Sequence, residues 1–328
     1  MTVEKIIKSF QKHQVLIVGD VMIDSYLWGS TNRVSPEAPV PIVNITKQEH
    51  RMGGAANVAL NIMSLGAKPI MLSVIGEDEM GSIYIDLLKK REMNDIGIVR
   101  SANRMTSQKT RVISHNQHVV RIDNETVKPL SKEDEDKLIE KLHLILSTQK
   151  IDVVILEDYN KGVLTPRIIH EVIEACNKKN IPSAVDPKKE HFFEYNGVTL
   201  FKPNLKEFVE GLGLLTIPEA KRTWMRGIQK LRSMINHKYT FVTLSEEGVL
   251  IENEGALSFV PAHIRNIADV SGAGDTVISV AALCLASKTS PIMLASLANL
   301  AGGLVCEEAG VVPISKALLL KEAVKEGL

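Results

Sequence analysis

Short, continuously apolar runs alternate with amphipathic helical patterns along most of the 328-residue chain. Strands that are apolar at consecutive positions are typical of sheets covered on both faces. Helices between such strands imply right-handed crossovers between parallel neighbours. The pattern predicts an α/β fold with a central, mainly parallel sheet flanked by helices. The predicted strands lie at 15–20, 69–76, 151–158, 181–186, 199–203 and 239–244.

Two segments, at about 25–50 and 106–123, interrupt this alternation. The first is rich in proline and polar residues and ends in a strand-like run, and the second is typical of a hairpin that turns near Asn116. Neither fits a strand–helix–strand unit. We expect the two segments to pair into a small β-sheet that forms a lid over one edge of the main domain. The alternative is that both are insertion loops.

Composition excludes several classes of protein. The 39 basic and 39 acidic residues cancel, which argues against nucleic acid or an anionic membrane surface as a partner. Cys176, Cys284 and Cys306 form no CxxC pair, so neither a disulfide framework nor a zinc site is expected. No apolar run approaches the ~20 residues that a membrane span requires. We therefore expect one cytoplasmic domain over residues 1–328.

Polar clusters follow most of the predicted strands. In open parallel sheets, ligands bind beyond the carboxyl ends of the strands. Each cluster alone is typical of a turn or a helix cap, but together they predict one ligand site at that edge. The clusters include "VGDVMID", "LEDYNKG", "VDPKK", "KPNLKE" and "VTLSEEGV".

The stretch "DVSGAGDT" at 269–276 directly precedes an apolar helical pattern. A helix start carries unpaired N–H groups, and the small Gly272, Ala273 and Gly274 let an anion approach them closely. A carboxylate at Asp275 would repel an anion that was merely bound. It suits a site where Asp275 accepts a hydroxyl proton while the N–H groups hold a transferring phosphoryl group. The alternative is an ordinary acidic residue in a first helical turn.

The chain resembles the ribokinase-like (PfkB) family of carbohydrate kinases. "GGAANVALNIMSLGA" is similar to the family's first signature, "DVSGAGDTVISVAALCLA" to its second, and "NLKE" to its NxxE element. Four further segments resemble the members of the family that phosphorylate heptose 7-phosphate. They are "GDVMIDSYLWGSTNRVSPEAPVPIV", "TRVISHNQHVVRID", "DYNKGVLT" and "KPNLKEF", so the resemblance covers nearly the whole chain.

This resemblance implies a reaction. It is phosphoryl transfer from MgATP to the anomeric hydroxyl of D-glycero-D-manno-heptose 7-phosphate, which gives the 1,7-bisphosphate used in ADP-heptose synthesis. The alternatives are a PfkB kinase for another sugar or sugar phosphate, and a non-catalytic sensor on the same scaffold. An NAD-dependent oxidoreductase is disfavoured because the first strand is not followed by GxGxxG.

The resemblance also implies roles for individual residues. Asp275 is the base, and Gly272, Ala273 and Gly274 form the anion hole. The sugar pocket includes Asp24, Gly53, Gly54 and Asn57. Asn204 and Glu207 organise Mg²⁺ and the phosphates of ATP, and Ser245 and Gly248 lie in a nucleotide-binding turn. Asp269 and residues 309–315 correspond to a loop that holds a monovalent cation, K⁺, in some relatives.

A phosphorylated substrate needs cationic partners, although most Arg and Lys side chains are solvated surface groups. The candidates are Arg111, Arg121, Lys161 and Lys188, with Asp158 beside them as a further substrate residue. We also expect a homodimer formed through the lids, which would cover the edges of the small sheet.

The chain departs from its relatives in four respects. Glu157 stands where many relatives have Ser or Ala, Leu244 where many have Arg, and Glu307-Glu308 where an apolar or Gly-Lys pattern is more usual. No HxGH element is present, so we expect no nucleotidyltransferase domain and only the kinase step.

Overall fold

The structure is a computed structural model and describes residues 2–115, 117–263 and 265–328. Its strands lie, in chain order, at Gln14–Gly19 (β1), Val21–Val34 (β2), Pro41–Gly54 (β3), Lys68–Gly76 (β4), Ile98–Ser101 (β5), Ser107–Ser114 (β6), Gln117–Asn124 (β7), Val153–Glu157 (β8), Ser183–Asp186 (β9), Val198–Phe201 (β10), His237–Thr243 (β11), Val249–Asn253 (β12) and Ala256–Val260 (β13). Its α-helices lie at Val3–Ser9 (α1), Ala55–Ser64 (α2), Glu79–Lys90 (α3), Lys132–Thr148 (α4), Pro166–Lys178 (α5), Leu205–Gly211 (α6), Lys221–Met234 (α7), Ala273–Ala286 (α8), Pro291–Val305 (α9) and Lys316–Lys325 (α10).

The large sheet has the strand order β13-β12-β11-β10-β9-β8-β1-β4-β5. From β11 to β5 every neighbouring pair is parallel, whereas β12 and β13 add an antiparallel hairpin at one edge. The prediction of an α/β fold with a mainly parallel central sheet is confirmed. The six predicted strands correspond to β1, β4, β8, β9, β10 and β11, with ends that differ by at most two residues. The short strand β5 and the hairpin were not among them.

Strand alternation divides the interior into two cores. Val15 and Ile17 of β1 face one core, which α1, α2, α3, α8, α9 and α10 cover. Leu16 and Val18 face the other, which α4, α5, α6 and α7 cover. Because successive strand residues point to opposite faces, a residue's parity along β1 or β8 decides which set of helices it meets. Within the described residues, no helix is both long and apolar enough to cross a membrane.

The two interrupting segments form a second sheet of four strands, in the order β3-β2-β6-β7. β2 and β6 are parallel, and the two outer pairs are antiparallel. Only Asp20 separates β1 from β2, so this sheet begins at the carboxyl end of the large sheet. β2 begins at Val21 and β3 ends at Gly54, so this pair of strands extends beyond both ends of the predicted segment 25–50. The turn predicted near Asn116 lies outside the described residues, and the role of the sheet as a lid remains a prediction.

Candidate active site

Asp275 lies in the first turn of α8, and its carboxylate is held by two other elements. Asn57 of α2 donates to Oδ2 at 2.6 Å, and the Tyr159 hydroxyl, from the loop after β8, donates to Oδ1 at 2.7 Å. Burial raises the pKa of Asp275 to about 6, although these two hydrogen bonds favour the charged form. A fixed carboxylate with a pKa near neutrality has the properties of a general base.

The turn before α8 is open to an anion. Gly272 is the N-cap residue and has φ = 79°, a left-handed conformation that favours glycine. A Cβ at Gly272 would also lie 2.9 Å from Asn57 Nδ2, which leaves no room for a side chain. The first N–H groups of a helix have no intrahelical partner, and the small residues Ala273 and Gly274 leave these groups accessible. The predicted anion-binding turn and Asp275 are therefore adjacent in space.

Two glycines bring the second sheet against the end of β1. A Cβ at Gly53 would lie 2.2 Å from the Asp24 carboxylate, and one at Gly54 would lie 2.4 Å from the Asp20 carbonyl oxygen. Gly54 has φ = 61° and starts α2, whose first turn carries Asn57. The Oδ1 atom of Asn57 is buried, and no group in the described part of the chain donates a hydrogen bond to it. Asn57 therefore keeps one acceptor free beside Asp275, as a hydroxyl ligand requires.

Asp20 fixes the loop that carries Tyr159. Its carboxylate accepts hydrogen bonds from the backbone N–H groups of Tyr159 at 3.0 Å, Lys161 at 3.0 Å and Val163 at 2.9 Å. Burial, followed by the nearby charge of Asp158, raises the pKa of Asp20, and the three N–H donors oppose this rise. Asp20 thus positions the loop and does not face a ligand, being 1% exposed.

Asp158 belongs to the opposite face of the sheet. It is buried, and its carboxylate accepts from the Tyr195 hydroxyl at 2.8 Å and from the Asn160 N–H at 2.7 Å. Tyr195 belongs to the core covered by α4 to α7. Asp158 and Asp275 therefore lie on different sides of the sheet. This placement does not favour the contact between Asp158 and substrate that the sequence analysis predicts.

Glu157, one residue earlier, has the parity that faces α2 and α8. It ends β8 in register with Asp186 of β9, and it is 2% exposed. Asp186 is paired with the buried Lys202, whose Nζ lies 2.7 Å from Oδ2. Asp186 raises the pKa of Asp275, and Lys202 lowers it. Sequence reasoning did not assign site roles to these three residues. Two signals in the sequence could have located them: their positions at strand ends, and the alternation along β8, which turns Glu157 toward α2 and α8.

Asn204 and Glu207 form a capping box at the start of α6. Each side chain accepts the other residue's backbone N–H, both at 2.8 Å, and Lys188 Nζ donates to Glu207 at 2.6 Å. Burial alone would lower the pKa of Lys188, but Asp186 and Glu207 raise it above its usual range. Lys188 therefore lies with the residues predicted to organise the nucleotide, away from the cations of the second sheet.

The turn between β11 and β12 lies close to this capping box, because Asn204 pairs with Thr243 in an isolated parallel bridge. Ser245 and Gly248 both have positive φ, at 54° and 98°. A Cβ at Gly248 would lie 2.2 Å from the Val260 carbonyl oxygen. The tight turn is adjacent to Asn204, and its contact with a nucleotide remains a prediction.

The other three candidate cations lie on or beside the second sheet, and each is paired. Arg111 forms an ion pair with Asp24, a residue predicted to bind the sugar. Arg121 lies opposite Arg111 across the β6–β7 ladder, but it is largely exposed and bonds to Asp123 at 2.9 Å. Lys161 pairs with Glu125 at 2.7 Å. Of these, Arg111 is the cation that meets the predicted sugar pocket.

Asp269 connects two loops near the start of α8. It accepts from Ser271 N–H at 2.9 Å and from Gly310 N–H at 3.1 Å. The Ser271 hydrogen bond is the main cause of the lowered pKa of Asp269. Its role toward K⁺ remains a prediction. In the part of the chain that the structure describes, no three His, Cys, Asp or Glu side chains form a metal-binding group.

Comparison with known proteins agrees with this architecture. Residues 12–317 match the model of the pfkB family carbohydrate kinases. The chain is 39% identical to the bifunctional protein HldE of Campylobacter curvus (strain 525.92) over 302 residues, which are 92% of this chain and 63% of that protein. It is 40% identical to the HldE of Campylobacter jejuni (strain NCTC 11168) over 310 residues, 94% of this chain and 64% of that protein. The chain thus spans less than two thirds of the length of these relatives.

Solved structures share the fold at low sequence identity. Phosphofructokinase-2 from Escherichia coli in complex with potassium superposes with a TM-score of 0.78 at 18% identity, covering 96% of this chain and 99% of that one. Ribokinase from Arabidopsis thaliana, complexed with ribose and ATP, gives 0.69 at 19% identity, covering 94% and 99%. The family match extends from β1 into the last helix and includes Asp275 and the turn before it, so the chain belongs to the pfkB family of carbohydrate kinases.

Proposed function

We propose that the protein transfers the γ-phosphoryl group of ATP to the anomeric hydroxyl of D-glycero-D-manno-heptose 7-phosphate. The observation that carries this proposal is the buried Asp275 carboxylate beside the open helix start of α8. The family membership and the segments that resemble heptose 7-phosphate kinases support the choice of substrate. A pfkB kinase for another sugar or sugar phosphate is the second candidate, because a shared fold does not determine the substrate.

In the proposed reaction, Asp275 accepts the proton of the anomeric hydroxyl, and the oxygen of that hydroxyl attacks the γ-phosphorus of ATP. The bond from that phosphorus to the β–γ bridging oxygen breaks, and ADP leaves. N–H groups of the 272–274 turn stabilise the negative charge on the transferring group. Asn57 and Tyr159 hold the carboxylate in one orientation, so that it stays aligned with the proton it accepts.

Mg²⁺ bound to ATP supplies the remaining charge compensation. Mg²⁺ retains several waters and is usually held by one or two carboxylates together with substrate phosphates. Glu207 is already bonded to Lys188 and to the Asn204 N–H, so its chemistry suits contact with the ion through water. We assign the organisation of Mg²⁺ and the phosphates to Asn204 and Glu207, and the adjoining nucleotide contacts to Ser245 and Gly248.

The sugar pocket is assigned to the root of the second sheet. Asp24 and the free Oδ1 of Asn57 provide acceptors for hydroxyl groups. Arg111 provides a cation that is paired with Asp24 in the absence of substrate. A sugar phosphate offers partners to both groups at once, because its hydroxyls can bond Asp24 while its phosphate bonds Arg111. The second sheet then acts as a lid that excludes water from the reaction.

Asp275→Asn should lower kcat by about 10²–10⁴-fold, the usual contribution of a positioned base, while ATP and sugar phosphate still bind. Single-turnover phosphoryl transfer measures the effect directly. Asp136→Asn on α4, which removes a half-exposed carboxylate from the surface, serves as the control and should retain full activity. Near-normal turnover by Asp275→Asn would show that another group is the base.

The pH dependence follows from the same residue. Asp275 can accept a proton only when it is ionised, and its pKa is raised from 3.8 to about 6. We expect kcat/KM for the sugar to be constant above that pH and to fall about tenfold per unit below it. An initial-rate profile between pH 5 and 8 measures this limb. A profile that stays flat down to pH 5 would contradict the assignment.

The substrate phosphate should be required for efficiency. Each charge-assisted contact to it contributes roughly 1.5–3 kcal/mol, so the two contacts of a bidentate guanidinium should favour heptose 7-phosphate over unphosphorylated heptose by at least ~100-fold in kcat/KM. Arg111→Met should reduce this preference, whereas Arg121→Met, at the largely exposed position opposite, should change it less. Equal efficiency of the two sugars would instead indicate a free-sugar kinase.

We also propose a homodimer through the second sheet. β7 exposes apolar side chains in the single chain: Val119 is 39%, Val120 48% and Ile122 54% exposed. An exposed strand with apolar side chains is a natural surface for association with a second copy. Light scattering at micromolar concentration should give the mass of a dimer, and Val120→Glu should shift it toward a monomer. A wild-type monomer under these conditions would remove the proposal.

A further inference from the structure

Glu157 is a buried acid at the floor of the site, and nothing in the proposed reaction uses it. It ends β8 between β1 and β9, and it is 2% exposed. Its Oε2 atom is buried and has no hydrogen-bond partner among the described residues. An ionised carboxylate with this oxygen unpaired has lost hydration there without gaining a donor, which costs more free energy than a typical hydrogen bond supplies. The burial and missing partner therefore favour a neutral carboxyl group.

The charges around Glu157 favour the same state. Asp186 on β9 and Asp275 on α8 both act on it as negative neighbours. The two nearby ammonium groups are bonded elsewhere, Lys202 to Asp186 at 2.7 Å and Lys188 to Glu207 at 2.6 Å. Among the described residues, Glu157 forms no ion pair with either lysine. The titratable and charged groups around it on the α2 and α8 side are Asp186, Asp275, Lys188, Lys202 and Tyr159, and Tyr195 lies on the other face of the sheet.

We propose that Glu157 carries a proton in the folded protein at neutral pH and is a positioning residue of the site. Its proton removes one negative charge beside Asp275 and Asp186, where the phosphates of ATP must bind. The protonation is a property of the folded chain alone. The consequence for ATP rests on the proposed kinase function, so the two parts are tested separately.

Protonation of Glu157 makes the free energy of unfolding depend on pH. Burial raises the pKa of Glu157 well above 4.5, Asp186 and Asp275 raise it further, and Lys202 and Lys188 oppose them only in part. The unfolded chain then loses this proton at a lower pH than the folded chain does. The contribution of Glu157 to the free energy of unfolding therefore falls as the pH rises from about 4.5 toward the folded pKa. A side chain that cannot ionise avoids this loss.

The first experiment measures the free energy of unfolding of wild type and Glu157→Gln between pH 5 and 8. We expect the variant to gain stability relative to wild type from pH 5 through neutrality without a plateau, because the folded wild type keeps its proton at pH 7. Glu252→Gln is the matched control, because Glu252 is equally buried but ion-paired with Arg232 at 2.8 Å, and it should show no such gain. A difference that is constant, that stops growing below pH 7, or that moves against Glu157→Gln with rising pH would overturn the proposal.

Glu157→Ser is a second variant in case the Gln side chain prevents folding, since Ser is small and cannot ionise in this pH range. It should show the same relative gain with pH. The direction of the gain is the decisive readout, because a purely structural role would change stability by an amount independent of pH. If instead Glu157 is ionised and bound to a cation, both variants lose stability relative to wild type as the pH rises, which also overturns the proposal.

The second experiment follows kcat/KM for ATP above neutral pH. Ionisation of Glu157 should weaken the use of ATP, so the wild-type value should fall at a lower pH than that of Glu157→Gln. Identical alkaline profiles would overturn the positioning role. Absence of any kinase activity in wild type would count against the proposed function, whereas the unfolding measurements would still decide whether Glu157 is protonated.

Discussion

The hydrogen bonds from Asn57 and Tyr159 to the Asp275 carboxylate join three parts of the chain that are more than 100 residues apart in sequence. They fix the start of α8 against α2 and against the loop after β8. That loop is itself held by Asp20, at the end of β1. Because a buried carboxylate must be hydrogen-bonded, the position of Asp275 constrains all of these elements together. The same contacts oppose the rise that burial causes and keep the pKa of Asp275 near 6.

Strand parity then decides which acids share this space. Glu157 and Asp158 are adjacent in sequence, but Asp158 bonds to Tyr195 in one core while Glu157 faces the α2 and α8 side. The site therefore contains three acids, Asp275, Asp186 and Glu157, with one buried lysine, Lys202, paired among them. An anionic substrate can approach such a group only if its negative charge is reduced. Protonation of one acid and the partial positive charge at the start of α8 both act in that direction.

Much of this arrangement could be predicted from the sequence, and the rest could not for physical reasons. Apolar runs determined the parallel sheet, and small residues before a helix located the turn at Gly272 to Gly274, because both signals are local. Ion pairs are not local: nothing in the sequence indicated that Lys188 would bond Glu207 or that Lys161 would bond Glu125. The inward parity of Glu157 was available in principle, but its charge environment depends on Asp186 and Asp275, which reach it only through the fold.

In the proposed reaction, Asp275 receives the proton of a sugar hydroxyl while the turn before α8 holds the phosphoryl group. A crystal structure with heptose 7-phosphate and a non-hydrolysable ATP analogue tests it most directly. We expect the anomeric hydroxyl oxygen to lie about 2.6–3.2 Å from a carboxylate oxygen of Asp275. We also expect γ-phosphate oxygens to accept hydrogen bonds from the N–H groups of residues 272–274. A complex in which the sugar lies elsewhere, with Asp275 still bonded only to Asn57 and Tyr159, would contradict it.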